Sequence, residues 1–195
     1  MRESVILVDA DGVLLNWEYA FEIWMEQHGF EKIDGNLDYD IGNRYGISKD
    51  QTRRLIKMFN ESAAIGFLPP LRDAMYYVEK LHKEHGYVFH CITSVSIDPN
   101  AIKLREMNLR KLFGETAFQR IVCLDTGADK DTALYQYRDS NCYWVEDKPQ
   151  NAELGAKLGL DSLLMEHGHN MYHYSDGVRL VKNWEEVYKI IVGDK

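Results

Sequence analysis

Residues 5–15 read VILVDADGVLL. Four apolar residues run into two aspartates, Asp9 and Asp11, with only Ala10 between them, and then into Gly12 and three more apolar residues. The leading run has the character of a buried strand, and a buried strand that ends on two carboxylates poses an electrostatic problem. Like charges taken out of water raise each other's pKa and cost folding free energy. Something must compensate them, and a divalent cation is the usual candidate.

Four more runs of this kind follow, at residues 87–93, 120–125, 142–146 and 161–165. These runs and the first, at 4–9, are apolar along most of their length instead of alternating, as expected of a parallel sheet covered on both faces. Helical patterns lie between them. Residues 72–85 carry Met75, Val78 and Leu81 on one face and stop at Gly86. Asp98-Pro99 supplies a cap and a proline at the first helical position for 100–107, residues 149–158 stop at Gly159, and Asn183 caps a last helix with Trp184, Val187 and Ile191. The alternation predicts an α/β fold: a Rossmann-like open parallel sheet of about five strands.

One connection is too long. A strand, crossover helix and strand need about 30 residues, yet the first strand ends at Asp9 and the second begins near Tyr87. The excess, residues 16–68, is expected to be a small helical cap inserted at the mouth of the first strand, with 1–15 and 69–195 forming the core domain. Trp17, Phe21, Trp24 and His28 repeat at helical spacing, Ser48 and Gln51 form a capping-box pattern, and Pro69-Pro70 closes the segment.

Hydrophobic residues make up 45% and charged residues 28% of the 195, the composition of an ordinary soluble globular protein. No apolar run approaches the length of a membrane span and no targeting segment is visible, so a cytoplasmic protein without a membrane partner is expected. Cys91, Cys123 and Cys142 lie in or beside strand-like runs and read as reduced thiols; no CxxC suggests structural zinc. The net charge of −8 argues against binding a nucleic-acid polymer through a broad basic surface. An anionic substrate would need a local positive site, from a metal or a well-placed lysine.

In open α/β sheets, ligands bind beyond the carboxyl ends of the strands. Those ends carry Asp9 and Asp11, then Thr93 and Ser94, then Gly127-Ala-Asp-Lys130, then Glu146-Asp147-Lys148-Pro149. Carboxylates for a cation, hydroxyls for phosphate oxygens and a lysine for charge make up a phosphoryl-transfer inventory.

DADGVLL, the CITS run containing Thr93, Lys130 heading KDTAL, and WVEDKPQNAELGAKLGL resemble the four ordered motifs of the haloacid dehalogenase superfamily. The resemblance covers about residues 4–15 and 70–165, and the insert falls where that family carries its cap. It implies a hydrolase, a Mg²⁺-dependent phosphatase acting on a small phosphorylated substrate. Asp9 would be the nucleophile that forms an aspartyl-phosphate. Asp11 would protonate the leaving oxygen and then activate water. Gly12 would let backbone amides face the phosphate, Thr93 would hydrogen-bond it, and Lys130 would neutralise charge. Neighbouring Ser94 could take the role of Thr93, and Lys148 competes with Lys130. Mg²⁺ would be held by Asp9, Asp147 and the backbone carbonyl of Asp11. Glu146 either binds the metal through water or caps the strand end, and Asn151 would fix the loop.

Members that dehalogenate lack the second aspartate of the first motif, so Asp11 favours the phosphatase branch; phosphomutases and sugar phosphatases of the same superfamily remain alternatives. DADGVLLNWEYAF and EDKPQN also resemble the 5′(3′)-deoxyribonucleotidases, which implies a nucleoside 5′-monophosphate as substrate. Most of the insert's aromatics, Trp17, Tyr19, Phe21, Trp24, Tyr39, Tyr45, Phe59 and Phe67, are expected to form its own core and its contact with the sheet domain. Trp17 and Tyr19 are the candidates to stack on a base. The run HGHNMYH, with His167, His169 and His173, reads as a surface loop. Outside this class, a phospho-receiver would place its acceptor after the third strand, where Asp125 lies, but the insert and the Glu146-Asp147 pair do not suit one. Intact motif residues argue against a silent binding module.

Overall fold

The computed structural model describes residues 4–33 and 40–193. Six parallel strands form one sheet: β1 (Val5–Val8), β2 (Val88–Thr93), β3 (Phe118–Cys123), β4 (Tyr143–Glu146), β5 (Asp161–Met165) and β6 (Val178–Val181), in the order β3-β2-β1-β4-β5-β6. From β1 the chain builds outward through β2 to β3, then returns to the other side of β1 for β4. The strand order therefore reverses beside β1, which opens a crevice at the carboxyl end of that strand. Asp9 stands there.

The apolar runs are two-faced because both faces of the sheet are covered. Ile6, Leu7 and Val8 are all fully buried. Ile6 and Val8 pack with Val78 and Leu81 of α4 (Ala74–His85), Leu109 and Phe113 of α5 (Pro99–Phe113), and Trp184 and Val187 of α8 (Trp184–Gly193). Leu7 points the other way, to Ile92, Trp144, Leu134 of α6 (Asp131–Tyr135) and the partly buried Leu154 of α7 (Pro149–Lys157). Each such side chain contributes about 1.5–3 kcal/mol through burial. Among the described residues no helix is long and apolar enough to cross a membrane.

Three expectations are corrected. The sheet has a sixth strand at its edge: Val178–Val181 is only four residues, VRLV, of which Val181 alone is buried, and too short to stand out from the loop before it. The third strand begins and ends two residues earlier than its apolar pattern implies, at Phe118–Cys123, which leaves Asp125 in the following turn. The helix opened by Asp98 also runs beyond 107, to Phe113, because Leu109 and Phe113 continue its buried stripe.

The segment between β1 and α4 folds as α1 (Trp17–Gln27), α2 (Ile41–Tyr45), α3 (Lys49–Asn60) and a 3-10 turn (Ala63–Phe67). Ser48 caps α3 by accepting from Gln51 N, as the capping pattern predicts. The two ends of the segment are tied together: Asn16 N donates to Pro69 O, and Leu71 N to Leu14 O, each at 2.8 Å. Tyr39 lies outside the described residues. Phe21, Met25 and Phe59 are buried in the same continuous core as Ile6 and Val8, so the described residues of the segment do not build a separate core of their own.

Trp17 belongs to this packing. It stacks on Phe21 with ring centroids 4.7 Å apart and meets Phe59 edge-on at 5.5 Å. Its indole nitrogen donates to Asn60 Oδ1 at 2.9 Å, and Asn60 Nδ2 donates to Val95 O at 2.9 Å, joining the helical segment to the loop after β2. Trp17→Ala should therefore cost about 3 kcal/mol, or roughly 6–12 °C in melting temperature for a chain this long. It should lower turnover of any substrate through stability alone; a loss confined to nucleotides, with an unchanged melting temperature, would return Trp17 to a stacking role.

Candidate active site

The turn after β1 is built around the Ala10 carbonyl, which accepts from Leu14 N at 2.8 Å and Leu15 N at 2.9 Å, while Gly12 N donates to Leu15 O. Gly12 has φ +73, and a Cβ there would fall 2.2 Å from Asp147 Oδ2. Glycine is thus required twice, for the left-handed backbone and for the approach of the Asp147 carboxylate. Gly12→Ala should strain the turn and push Asp147 aside, lowering the melting temperature by roughly 2–8 °C; an unchanged melting temperature would show that this approach does not matter.

Asp9, only 7% exposed, accepts from Lys130 Nζ at Oδ2 (2.7 Å) and from Ala10 N at Oδ1 (2.7 Å). Lys130, at the start of α6, is buried and also reaches Glu146 Oε2 at 2.8 Å. Glu146 is fully buried. Its Oε1 accepts from Asp147 N and Lys148 N at 3.1 Å, and its Oε2 from Asn151 Nδ2 at 3.3 Å as well as from Lys130. Of the roles open to Glu146, this geometry favours the structural one, tying Lys130 to the head of α7.

Carboxylate oxygens of Asp9, Glu146 and Asp147 all lie within 4.8 Å of one another. Burial pushes Asp9 up to about 7 against the opposing pull of Lys130, with Glu146 and Asp11 adding to the rise. Burial, then the Asp9 charge, pushes Asp147 up to about 7 as well. Burial disfavours the Lys130 ammonium, but Asp9 and Glu146 outweigh it and hold its pKa above the ordinary lysine value. One lysine against three close carboxylates leaves negative charge uncompensated. The all-oxygen donor set fits a hard divalent cation, which Asp147 and the remaining lone pairs of the Asp9 oxygens would hold.

These groups surround a cavity of about 180 Å³, lined by Asp9, Asp11, Ser94, Lys130, Asp147 and Lys148 together with Gly127, Ala128, Glu146 and Asn151. It opens to solvent and has room for a phosphoryl group and a metal. Ser94 is on its wall, though its hydroxyl is spent on Ala128 O at 2.8 Å. Thr93 Oγ1 is buried and has no hydrogen-bond partner among the described residues. Lys148 lines the cavity without a carboxylate partner among the described residues. Trp17 and Tyr19 do not line it: Trp17 is committed to Phe21 and Asn60, and Tyr19 is 55% exposed.

Two contributors were missed from the sequence. Arg105 of α5, fully buried, grips both carboxylate oxygens of Asp11, at 2.6 and 3.0 Å. A legible sign existed, since Arg105 sits between Ala101, Leu109 and Phe113 on the buried stripe of its helix. The second is the loop after β5, which is not merely a surface loop. His167 Nε2 donates to Gly12 O at 2.7 Å, and buried Asn170 donates to Asp147 O at 2.7 Å and Met165 O at 2.9 Å. The loop braces both aspartate turns from behind, and burial lowers the pKa of His167, so its ring stays neutral. Its histidines are not part of the carboxylate cluster.

No family model matches the chain. An uncharacterised 32.4 kDa protein of Enterobacteria phage T4 is 25% identical over 165 residues, which cover 80% of this chain and 58% of that protein. The chain thus spans less than two thirds of that relative's length. Among solved structures, a haloacid dehalogenase-like hydrolase from Streptococcus pneumoniae is similar with a TM-score of 0.65 at 14% identity, covering 96% of this chain and 97% of that one. The HAD-hydrolase YfnB from Bacillus subtilis, bound to magnesium, is similar with a TM-score of 0.63 at 16% identity, covering 98% and 100%.

Proposed function

We propose that this chain, which has the haloacid dehalogenase-like fold, is a Mg²⁺-dependent phosphomonoesterase acting on a small phosphorylated metabolite through an aspartyl-phosphate. The observation that carries the reading is the gathering of Asp9, Asp11, Lys130 and Asp147 around one small polar cavity at the point where the strand order reverses. Asp9, Asp147 and the backbone carbonyl of Asp11 would hold Mg²⁺, which would supply positive charge against the carboxylates and the phosphate.

Asp9 attacks phosphorus, so that a bond from its carboxylate oxygen to phosphorus forms as the bond to the ester oxygen breaks. Asp11 gives its proton to the departing oxygen. In the second half, Asp11 takes a proton from water as that water attacks phosphorus, and inorganic phosphate leaves Asp9. Attack needs Asp9 ionised, which Lys130 favours and burial opposes. Thr93 is fully buried at the end of β2 and does not line the cavity, so its unpartnered hydroxyl lies behind the wall, whereas Lys148 at the wall adds charge. The leaving group extends from the open mouth of the cavity, and to the helical segment between residues 16 and 68, inserted between β1 and α4, we assign the role of a cap that selects the substrate. A nucleoside 5′-monophosphate heads the panel of compounds to test.

A receiver reading fares worse, because Asp125 is exposed and does not line the cavity. The deciding experiment is phosphate release from p-nitrophenyl phosphate, with Mg²⁺ and with EDTA. Release that depends on Mg²⁺ is expected. No release under either condition, from a folded protein, would overturn the proposal.

A further inference from the structure

Ala101, Arg105, Leu109 and Phe113 recur every four residues along α5, and all four are buried. A guanidinium on such a stripe is costly unless it is paired. Arg105 is paired only through its two terminal nitrogens, Nη1 to Asp11 Oδ1 at 2.6 Å and Nη2 to Asp11 Oδ2 at 3.0 Å; its Nε has no partner among the described residues. The Asp11 side chain is 25% exposed and lines the cavity, so one carboxylate faces a buried cation on one side and the cavity on the other.

The neighbours of Arg105 hold α5 in place. Leu104 packs so tightly against the 3-10 turn that a Cβ on Gly66 would come within 2.8 Å of it, and Asn108 Nδ2 donates to Leu68 O at 3.1 Å. A carboxylate has about four lone-pair sites. The guanidinium fork takes one on each oxygen and leaves the others available on the cavity side.

We infer that Arg105 is the positioning residue for Asp11: by gripping both oxygens it fixes the orientation in which Asp11 exchanges a proton with the leaving group and then with water. The inference rests on the phosphomonoesterase reading. Without the fork, Asp11 would be free to adopt other rotamers, and a displacement of about 1 Å at a reacting group can cost about 10²-fold in rate.

The test uses two esters. p-Nitrophenolate leaves with little help from a proton, whereas the alkoxide of glycerol phosphate needs one, and kcat/KM reports the steps through departure of the leaving group. Arg105→Gln should lower kcat/KM for glycerol phosphate by about 10²-fold and for p-nitrophenyl phosphate by less than about tenfold. Arg105→Lys, which keeps the buried charge but loses the fork, should fall between Arg105→Gln and wild type on glycerol phosphate. Arg105→Gln added to Asp11→Asn should cost nothing further, because the arginine acts through the aspartate. Equal losses on both esters, a double variant that multiplies the single losses, or an Arg105→Lys protein matching wild type on glycerol phosphate would each overturn the inference while leaving the phosphatase reading standing. A wild-type protein inactive on both esters would overturn that reading and the inference with it.

Discussion

Asp9→Asn is expected to abolish turnover while leaving the protein at least as stable as wild type. An amide oxygen cannot form the aspartyl-phosphate, and loss of a covalent nucleophile costs on the order of 10⁶-fold in kcat, judged from serine proteases. The stability half follows from the charges. Asp9 is buried beside Glu146 and Asp147, and its charge is among the causes that push Asp147 up to about 7. Removing it leaves Lys130 still paired with Glu146 at 2.8 Å and relieves the repulsion on Asp147. A catalytic carboxylate held against its electrostatic preference is the usual form of the trade between activity and stability. Steady-state assays with p-nitrophenyl phosphate and thermal melts in EDTA at pH 8 check both halves. Activity within tenfold of wild type would end the aspartyl-phosphate mechanism, and a large drop in melting temperature would mean that Asp9 contributes structure the ion-pair geometry does not account for.

The gathering of Asp9, Asp11, Lys130 and Asp147 around one cavity was legible in the sequence. Asp9, Thr93, Lys130 and Asp147 each follow an apolar strand-like run or the turn after one, and a parallel sheet must bring those ends together. What could not be read were contacts that the sheet does not dictate. Arg105 meets Asp11 across 94 residues through the rotation of α5, and Asn170 meets Asp147 across 23 through the path of a loop. Periodicity shows that Trp17 and Phe21 share a face of α1. It does not say which neighbour that face meets, and here it meets Phe59 and Asn60 instead of the cavity. The edge strand Val178–Val181 escaped for another reason: an edge strand is covered less completely, so its sequence carries a weaker apolar signature.

Lys130→Met is expected to destabilise the protein strongly at pH 8 and much less at pH 5.5. Lys130 is buried and touches Asp9 at 2.7 Å and Glu146 at 2.8 Å, so methionine fills its volume but leaves two buried carboxylates without their cation. Breaking a buried pair on one side costs about 3–5 kcal/mol, roughly 6–20 °C in melting temperature for a chain of this size. The pH dependence has a definite sign. Asp9 is raised from 3.8 to about 7 in the folded protein even with Lys130 present, so the folded state binds more protons than the unfolded state across that window and loses stability as pH rises through it. Without Lys130 the folded pKa climbs further and the window extends above 7. At pH 5.5 Asp9 is protonated in both proteins, and the lysine is missed only by Glu146, whose carboxyl burial also pushes up; at pH 8 wild type carries the Asp9 charge against Lys130, and the variant has nothing to carry it against. Mg²⁺ at pH 8 should restore part of the loss, since a divalent cation held by Asp9 and Asp147 replaces some of the missing charge. Melts at both pH values, with EDTA and with Mg²⁺, separate these effects. A variant that melts with wild type at pH 8 in EDTA would show that Lys130 does not compensate the carboxylates, and the answer to the charge problem posed by VILVDADGVLL would have to rest on the metal alone.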